Sequence, residues 1–140
     1  MTYPIAYVAT TLVFLAIDFV WLTYVAQTFY KSQIGHLLAS PFNLPAAGVF
    51  YLIYCVGIVI FAVAPALNGL GFRHALIHGA LFGFFAYATY EMTNYATLRD
   101  WPLTMVVVDI SWGVVLTGAS AALGYLIASR VLGLVGQSAG

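Results

Sequence analysis

Three of the chain's four acidic residues, Asp18, Glu91 and Asp109, stand inside long apolar runs. An ionisable side chain at the centre of a membrane helix costs about 2.5–3.5 kcal/mol on insertion scales, so each needs a reason to be there. No Lys or Arg falls inside the runs at their depth, which leaves the acids without a cationic partner in the chain. At least one or two are therefore expected to be protonated at neutral pH and to titrate as coupled groups, unless a cation is bound. That is the chemistry of a proton or cation site. The plainer alternative holds each carboxyl neutral and hydrogen-bonded to Trp, Tyr or Asn, as glue between helices.

The elements that must position these groups follow from composition. Hydrophobic residues make up 64% of the 140 residues and charged residues 6%, against roughly 25% charged in a soluble domain. So few charges could not solvate a globule of this size, and hydrocarbon is the solvent that fits. Apolar runs cover residues 4–26, 46–67, 74–97 and 103–129, each near the ~20 residues needed to cross ~30 Å of hydrocarbon. Each must satisfy its own backbone in lipid, and four segments cannot close a β-barrel. The expectation is all-α: one domain over residues 1–140, an integral membrane bundle of four transmembrane helices with short loops. The first run has no basic leader, carries Asp18 and lacks an A-x-A cleavage pattern, so it reads as a span and not a signal peptide. Residues 27–45 form the one sizeable loop, and 29–38 are amphipathic enough to lie in the interface. Lys31 and Arg99 fall on one side, Arg73, Arg130 and the amino terminus on the other, a near tie that leans toward cytoplasmic termini.

Depth gives the strongest inference. Counted from the side that carries residues 27–45, Asp18, Glu91 and Asp109 lie roughly 12, 9 and 9 Å in at 1.5 Å per residue. Three runs thus place their carboxyls in one layer. Each acid has a companion three residues on, on the same helix face: Trp21, Asn94 and Trp112. Tyr51 and Tyr54 add phenols near this depth, Tyr90 and Tyr95 flank the glutamate, and Trp101 caps the turn above. The candidate proton, cation or ligand-binding set is Asp18, Glu91, Asp109, Asn94, Trp21, Trp112, Tyr54 and Tyr90. Asp-x-x-Trp occurs twice in runs of opposite direction, a trace of the inverted repeats of transporters, although two matching residues per copy are what chance supplies.

Other features read as structural. Gly79 and Gly83 form GxxxG, and Gly118 with Ala122 repeats the small-residue spacing, both suited to close helix contact. Pro65 is expected to end or kink its helix. The lone Cys55 excludes an intrachain disulfide and leaves the redox compartment open. His74 and His78 have a spacing that can present two imidazoles to a metal, but with no further ligand nearby they read as interfacial residues beside Arg73. His36 could reach the carboxylate layer and complete a metal site with two of the acids; apart from that no metal and no cofactor is expected. Four scattered basic residues offer nothing to a phosphate backbone, which excludes nucleic acid.

The segments Asp18-Phe19-Val20-Trp21-Leu22, the stretch from Tyr87 through Glu91 and Asn94 to Trp101, and Val108-Asp109-Ile110-Ser111-Trp112-Gly113 together resemble the bacterial predicted-membrane-protein family catalogued as domain of unknown function 2177. The resemblance covers nearly the whole chain and implies a small protein of the bacterial inner membrane with four spans, without an assigned activity. The family pattern usually has an aspartate where this chain has Glu91, a swap that keeps the carboxyl and lengthens its reach. Three functions follow from the residues. One is transport or permeation through proton or cation binding, in at least a dimer because four helices enclose little volume. Another is a membrane enzyme or binding protein for a lipid or hydrophobic small molecule, with acid and base work by the carboxyls. A third is an accessory subunit of a membrane complex.

Overall fold

The computed structural model describes residues 1–140 and is helical, with no strand. Three helices are long and apolar enough to cross a membrane, Thr2–Leu37, Leu44–Thr97 and Leu103–Ser138, rather than the four separate helices expected from composition. The difference lies in the second. As a straight rod its 54 residues would reach roughly 81 Å, far more than a bilayer's thickness. Gly69 and Gly71 instead hold φ at 122° and 78°, values open to glycine because it has no Cβ. At this corner the backbone leaves helical geometry, and the two helical segments adjoin across a tight kink at which the chain reverses. The result is a helical hairpin of two arms, α3 (Leu44–Ile58) with its continuation to Leu70, and α4 (Gly71–Thr97).

Asn43 caps α3, its side chain accepting from the Ala46 amide at 3.2 Å, and Pro45 occupies the first turn, where its missing N–H costs nothing. Pro65 neither ends nor sharply breaks the arm. It sits between two π-turns, Val59–Val63 and Ala66–Leu70, which widen the backbone around a residue that cannot donate.

The first helix also runs further than composition suggests. α1 (Thr2–Trp21) passes through a π-turn at Leu22–Ala26 into α2 (Gln27–Ile34) and a 3-10 turn at Gly35–Leu37. Most of the stretch expected to be a loop is therefore helix, because it has no glycine before Gly35 and no proline before Pro41. α5 (Leu103–Ser138) likewise continues beyond Ser129.

α5 is the central helix, packed along α4 on one side and α1 on the other. Between helices in lipid there is no hydrophobic driving force, so association depends on close contact. Gly83 faces the Gly113 carbonyl, Gly79 faces Ala121 and Gly124 faces Thr10, each with no room for a Cβ. Phe14, Ile58 and Leu116 are fully buried where α1, α3 and α5 converge. The two arms of the hairpin meet around Val59–Val63, where Phe61 stacks on Phe82 and Gly57 lies against the same ring. Beyond that point α3 diverges from α4, and the gap is bridged by side chains alone, Tyr54 stacking on Phe82 and lying edge-on to Tyr87.

Candidate functional site: a buried carboxylate layer

Asp18 on α1, Glu91 on α4 and Asp109 on α5 are all buried, at 7%, 0% and 7% exposure. Each is held by aromatic donors from another part of the chain. Tyr51 donates to Asp18 Oδ2 at 2.5 Å, and Trp112 Nε1 to its Oδ1 at 3.4 Å. Tyr30 donates to Asp109 Oδ1 at 2.6 Å, and itself accepts from Trp21 Nε1 at 3.0 Å. Trp101 Nε1 donates to Glu91 Oε2 at 2.8 Å.

The two Asp-x-x-Trp segments meet as a crossed pair. Trp21 and Trp112 stack with centroids 4.2 Å apart and planes 7° from parallel. Trp112 then serves the aspartate of the other segment directly, and Trp21 does so through Tyr30. An offset stack of this kind adds about 0.5–1.5 kcal/mol beyond buried area and fixes the distance between α1 and α5 at this level.

Glu91 differs from the other two acids. Its Oε1 is buried with no hydrogen-bond partner, and the Asp109 carboxyl lies within hydrogen-bonding reach. Two ionised carboxylates have no donor between them. A single proton placed between Glu91 and Asp109 supplies one and satisfies the orphan oxygen. Around Asp18 and Glu91 the interacting groups are donors and other carboxyls, with no basic side chain among them.

Of the remaining expected residues, Tyr54 bonds the Thr117 hydroxyl at 2.8 Å, and Tyr90 lies edge-on to Trp101 with centroids 6.1 Å apart. Asn94 is half-buried one turn beyond Tyr90 and makes no hydrogen bond to a carboxyl. No group of three His, Cys, Asp or Glu side chains is disposed to hold a metal ion. His36 sits in the Gly35–Leu37 turn and forms no such group with two of the acids. His74 and His78 stack on each other, centroids 3.7 Å apart.

Tyr30 and Tyr87 escaped the sequence reading. Tyr30 lies in the stretch taken for a loop. At about 100° per residue, nine residues would put it on the face opposite Trp21, but the π-turn absorbs one residue and brings it back to within roughly 80°. Tyr87 lies one turn before Glu91 and packs its ring flat on Gly113, where a Cβ would stand 2.2 Å from the ring carbon Cγ. The i, i+4 spacing of Tyr87 and Glu91 was the available signal. Trp101, expected at the turn above the layer, is folded back onto Glu91 by Asp100, which takes a φ of 59°, a conformation aspartate tolerates.

Removing one donor tests how the layer is held. Tyr51→Phe deletes the shorter of Asp18's two bonds and is expected to lower stability in detergent by about 1–2 kcal/mol. Unfolding in mixed micelles measures this, and an unchanged midpoint would mean that the bond contributes nothing net.

These features define an all-helical membrane protein with carboxyls buried in a layer of aromatic donors. The chain belongs to the predicted membrane protein family DUF2177, whose model matches residues 3–126. The matched region contains every residue of the layer. No curated protein and no solved structure matches the chain.

Proposed function

We propose that this protein binds a proton or cation within the membrane through Asp18, Glu91 and Asp109, as part of transport or permeation. The observation that carries the reading is Glu91: fully buried, one oxygen without a donor, next to a second carboxyl and without a basic neighbour. A purely structural carboxyl would have both oxygens satisfied, since a buried unpaired acceptor costs about 1–3 kcal/mol. The lack of a three-ligand cluster favours a proton, or a cation that needs few oxygens, over a coordinated metal.

In this reading the hairpin at Gly69–Gly71 makes four crossings of three continuous helices, and residues 1–140 act as one transmembrane domain with both termini on the cytoplasmic side of a bacterial inner membrane. Polar groups continue away from the layer: Thr117 bonds Tyr54, and the Ser120 and Thr10 hydroxyls are buried without partners farther along α5 and α1. They supply stepping points toward the opposite surface. A second copy would complete any aqueous path, and the many exposed apolar side chains of α1, α3 and α4 are available to it and to lipid.

Infrared difference spectroscopy of the protein in nanodiscs tests the reading. The expected result is a protonated-carboxyl stretch present at neutral pH, titrating away with alkali and lost or shifted in Glu91→Gln and Asp109→Asn. If no carboxyl band titrates and the variants leave the spectrum unchanged, the layer is structural and the reading fails.

A further inference from the structure

Between the diverging helices α3 and α4 lies a cavity of about 390 Å³, lined by Phe50 and Tyr54 of α3, Ala86, Tyr87 and Tyr90 of α4, and Asp109 of α5. Four of the six are aromatic, and one is a carboxylate. Its lips are Phe50 and Tyr90, 49% and 53% exposed, and its floor is Tyr54 and Asp109, 6% and 7% exposed. Asp109 accepts from Tyr30 through one oxygen and has the Glu91 carboxyl beside it.

The position of the mouth matters. Phe50 is six residues into α3 and Tyr90 seven residues from the end of α4, roughly 9 and 10 Å along their helices. The cavity therefore opens sideways between two helices, at the depth of the acyl chains and not at the water surface.

A small hydrated ion finds poor replacement for its water here, because beside one carboxylate the lining offers only phenol oxygens, of which that of Tyr54 is already bonded to Thr117, and aromatic faces. A cation carrying its own apolar coat is matched on every side: aromatic faces attract the positive charge, the carboxylate neutralises it, and the apolar walls replace lipid around its substituents. The size lies at the low end of the roughly 300–1,000 Å³ usual for small-molecule sites, which fits one compact organic ion and excludes a whole phospholipid.

We infer that the α3–α4 cleft binds a hydrophobic organic ammonium ion that enters sideways from the lipid and sets its charge on Asp109. The inference rests on the proposed reading, in which the proton between Glu91 and Asp109 is the resident charge. The cation then exchanges for that proton: the ammonium pairs with the ionised Asp109, and the proton leaves to solvent. No covalent bond changes.

The test uses the intact chain in nanodiscs, with benzyltrimethylammonium and its uncharged isostere neopentylbenzene as probes and empty nanodiscs as background. Equilibrium dialysis should give saturable binding of the ammonium that Asp109→Asn weakens about tenfold or more and Tyr90→Leu severalfold. Neopentylbenzene should show no saturable component, and ammonium binding should acidify a weakly buffered solution containing a pH dye. Tyr90 is on the exposed lip, so its variant keeps the test meaningful should Asp109→Asn fold poorly. The inference is overturned if the ammonium binds no better than to empty nanodiscs, or if the isostere binds equally and neither variant matters. In those cases a carboxyl band that still titrates leaves the proton site standing, whereas a silent band removes both.

Discussion

Gly83→Ala is expected to destabilise the protein by about 1–3 kcal/mol, although the same change in an open stretch of helix stabilises by about 0.5–1 kcal/mol. The sign reverses because of what the new methyl group meets. At Gly83 it would lie 2.2 Å from the Gly113 carbonyl oxygen and 2.7 Å from the Thr117 side chain. A carbonyl oxygen in a helix cannot swing aside as a side-chain end can, so α4 and α5 must separate along the contact. Separation also disturbs the layer above it, since Gly113 supports the Tyr87 ring. Gly133, near the end of the same α5, has open space around its would-be Cβ and provides the control: Gly133→Ala should be neutral or slightly stabilising. Unfolding in mixed detergent micelles, followed by circular dichroism, compares the two. If Gly83→Ala matches Gly133→Ala, the α4–α5 contact is not as close as described.

The helical class, the burial of three acids in one layer and the aromatic company of that layer were legible in the sequence, because composition, the 1.5 Å rise and the i, i+3 spacing act locally. GxxxG at Gly79 and Gly83 was likewise readable as a close contact. The hairpin was not. A glycine pair at residues 69 and 71 signals a break, but hydropathy alone cannot tell a loop between two helices from a tight kink at which they adjoin. Tyr30 was hidden for a related reason: a π-turn shifts every later residue by about one position around the helix, and nothing in residues 22–26 announces it. The crossing of the two Asp-x-x-Trp segments depends on which helices are neighbours. Their recurrence is visible in the sequence, but that each tryptophan serves the other's aspartate is a property of the packed pair. The cleft was the least legible feature, since it exists because α3 and α4 diverge above Val59–Val63.

Glu91 allows the proposed proton to be separated from ordinary packing, because two substitutions there predict opposite behaviour. Glu91→Gln keeps the shape, leaves an oxygen to accept from Trp101 Nε1, and offers an amide N–H toward Asp109 where the shared proton would sit. Its stability should stay within about 1 kcal/mol of the original. Glu91→Ala removes the acceptor from the Trp101 indole, which is buried at 7% exposure, and leaves a void at a fully buried position. Together these cost about 2–4 kcal/mol. The distinguishing measurement is stability against pH. In the original chain alkali withdraws the shared proton and sets two negative charges side by side in a low-dielectric layer, so unfolding should become easier as pH rises. Glu91→Gln has one carboxyl fewer and no shared proton to lose, so its curve should be flatter over the same range. Parallel curves for the two would mean that Glu91 and Asp109 hold no proton between them, and that Glu91 serves α4 only as the acceptor for Trp101.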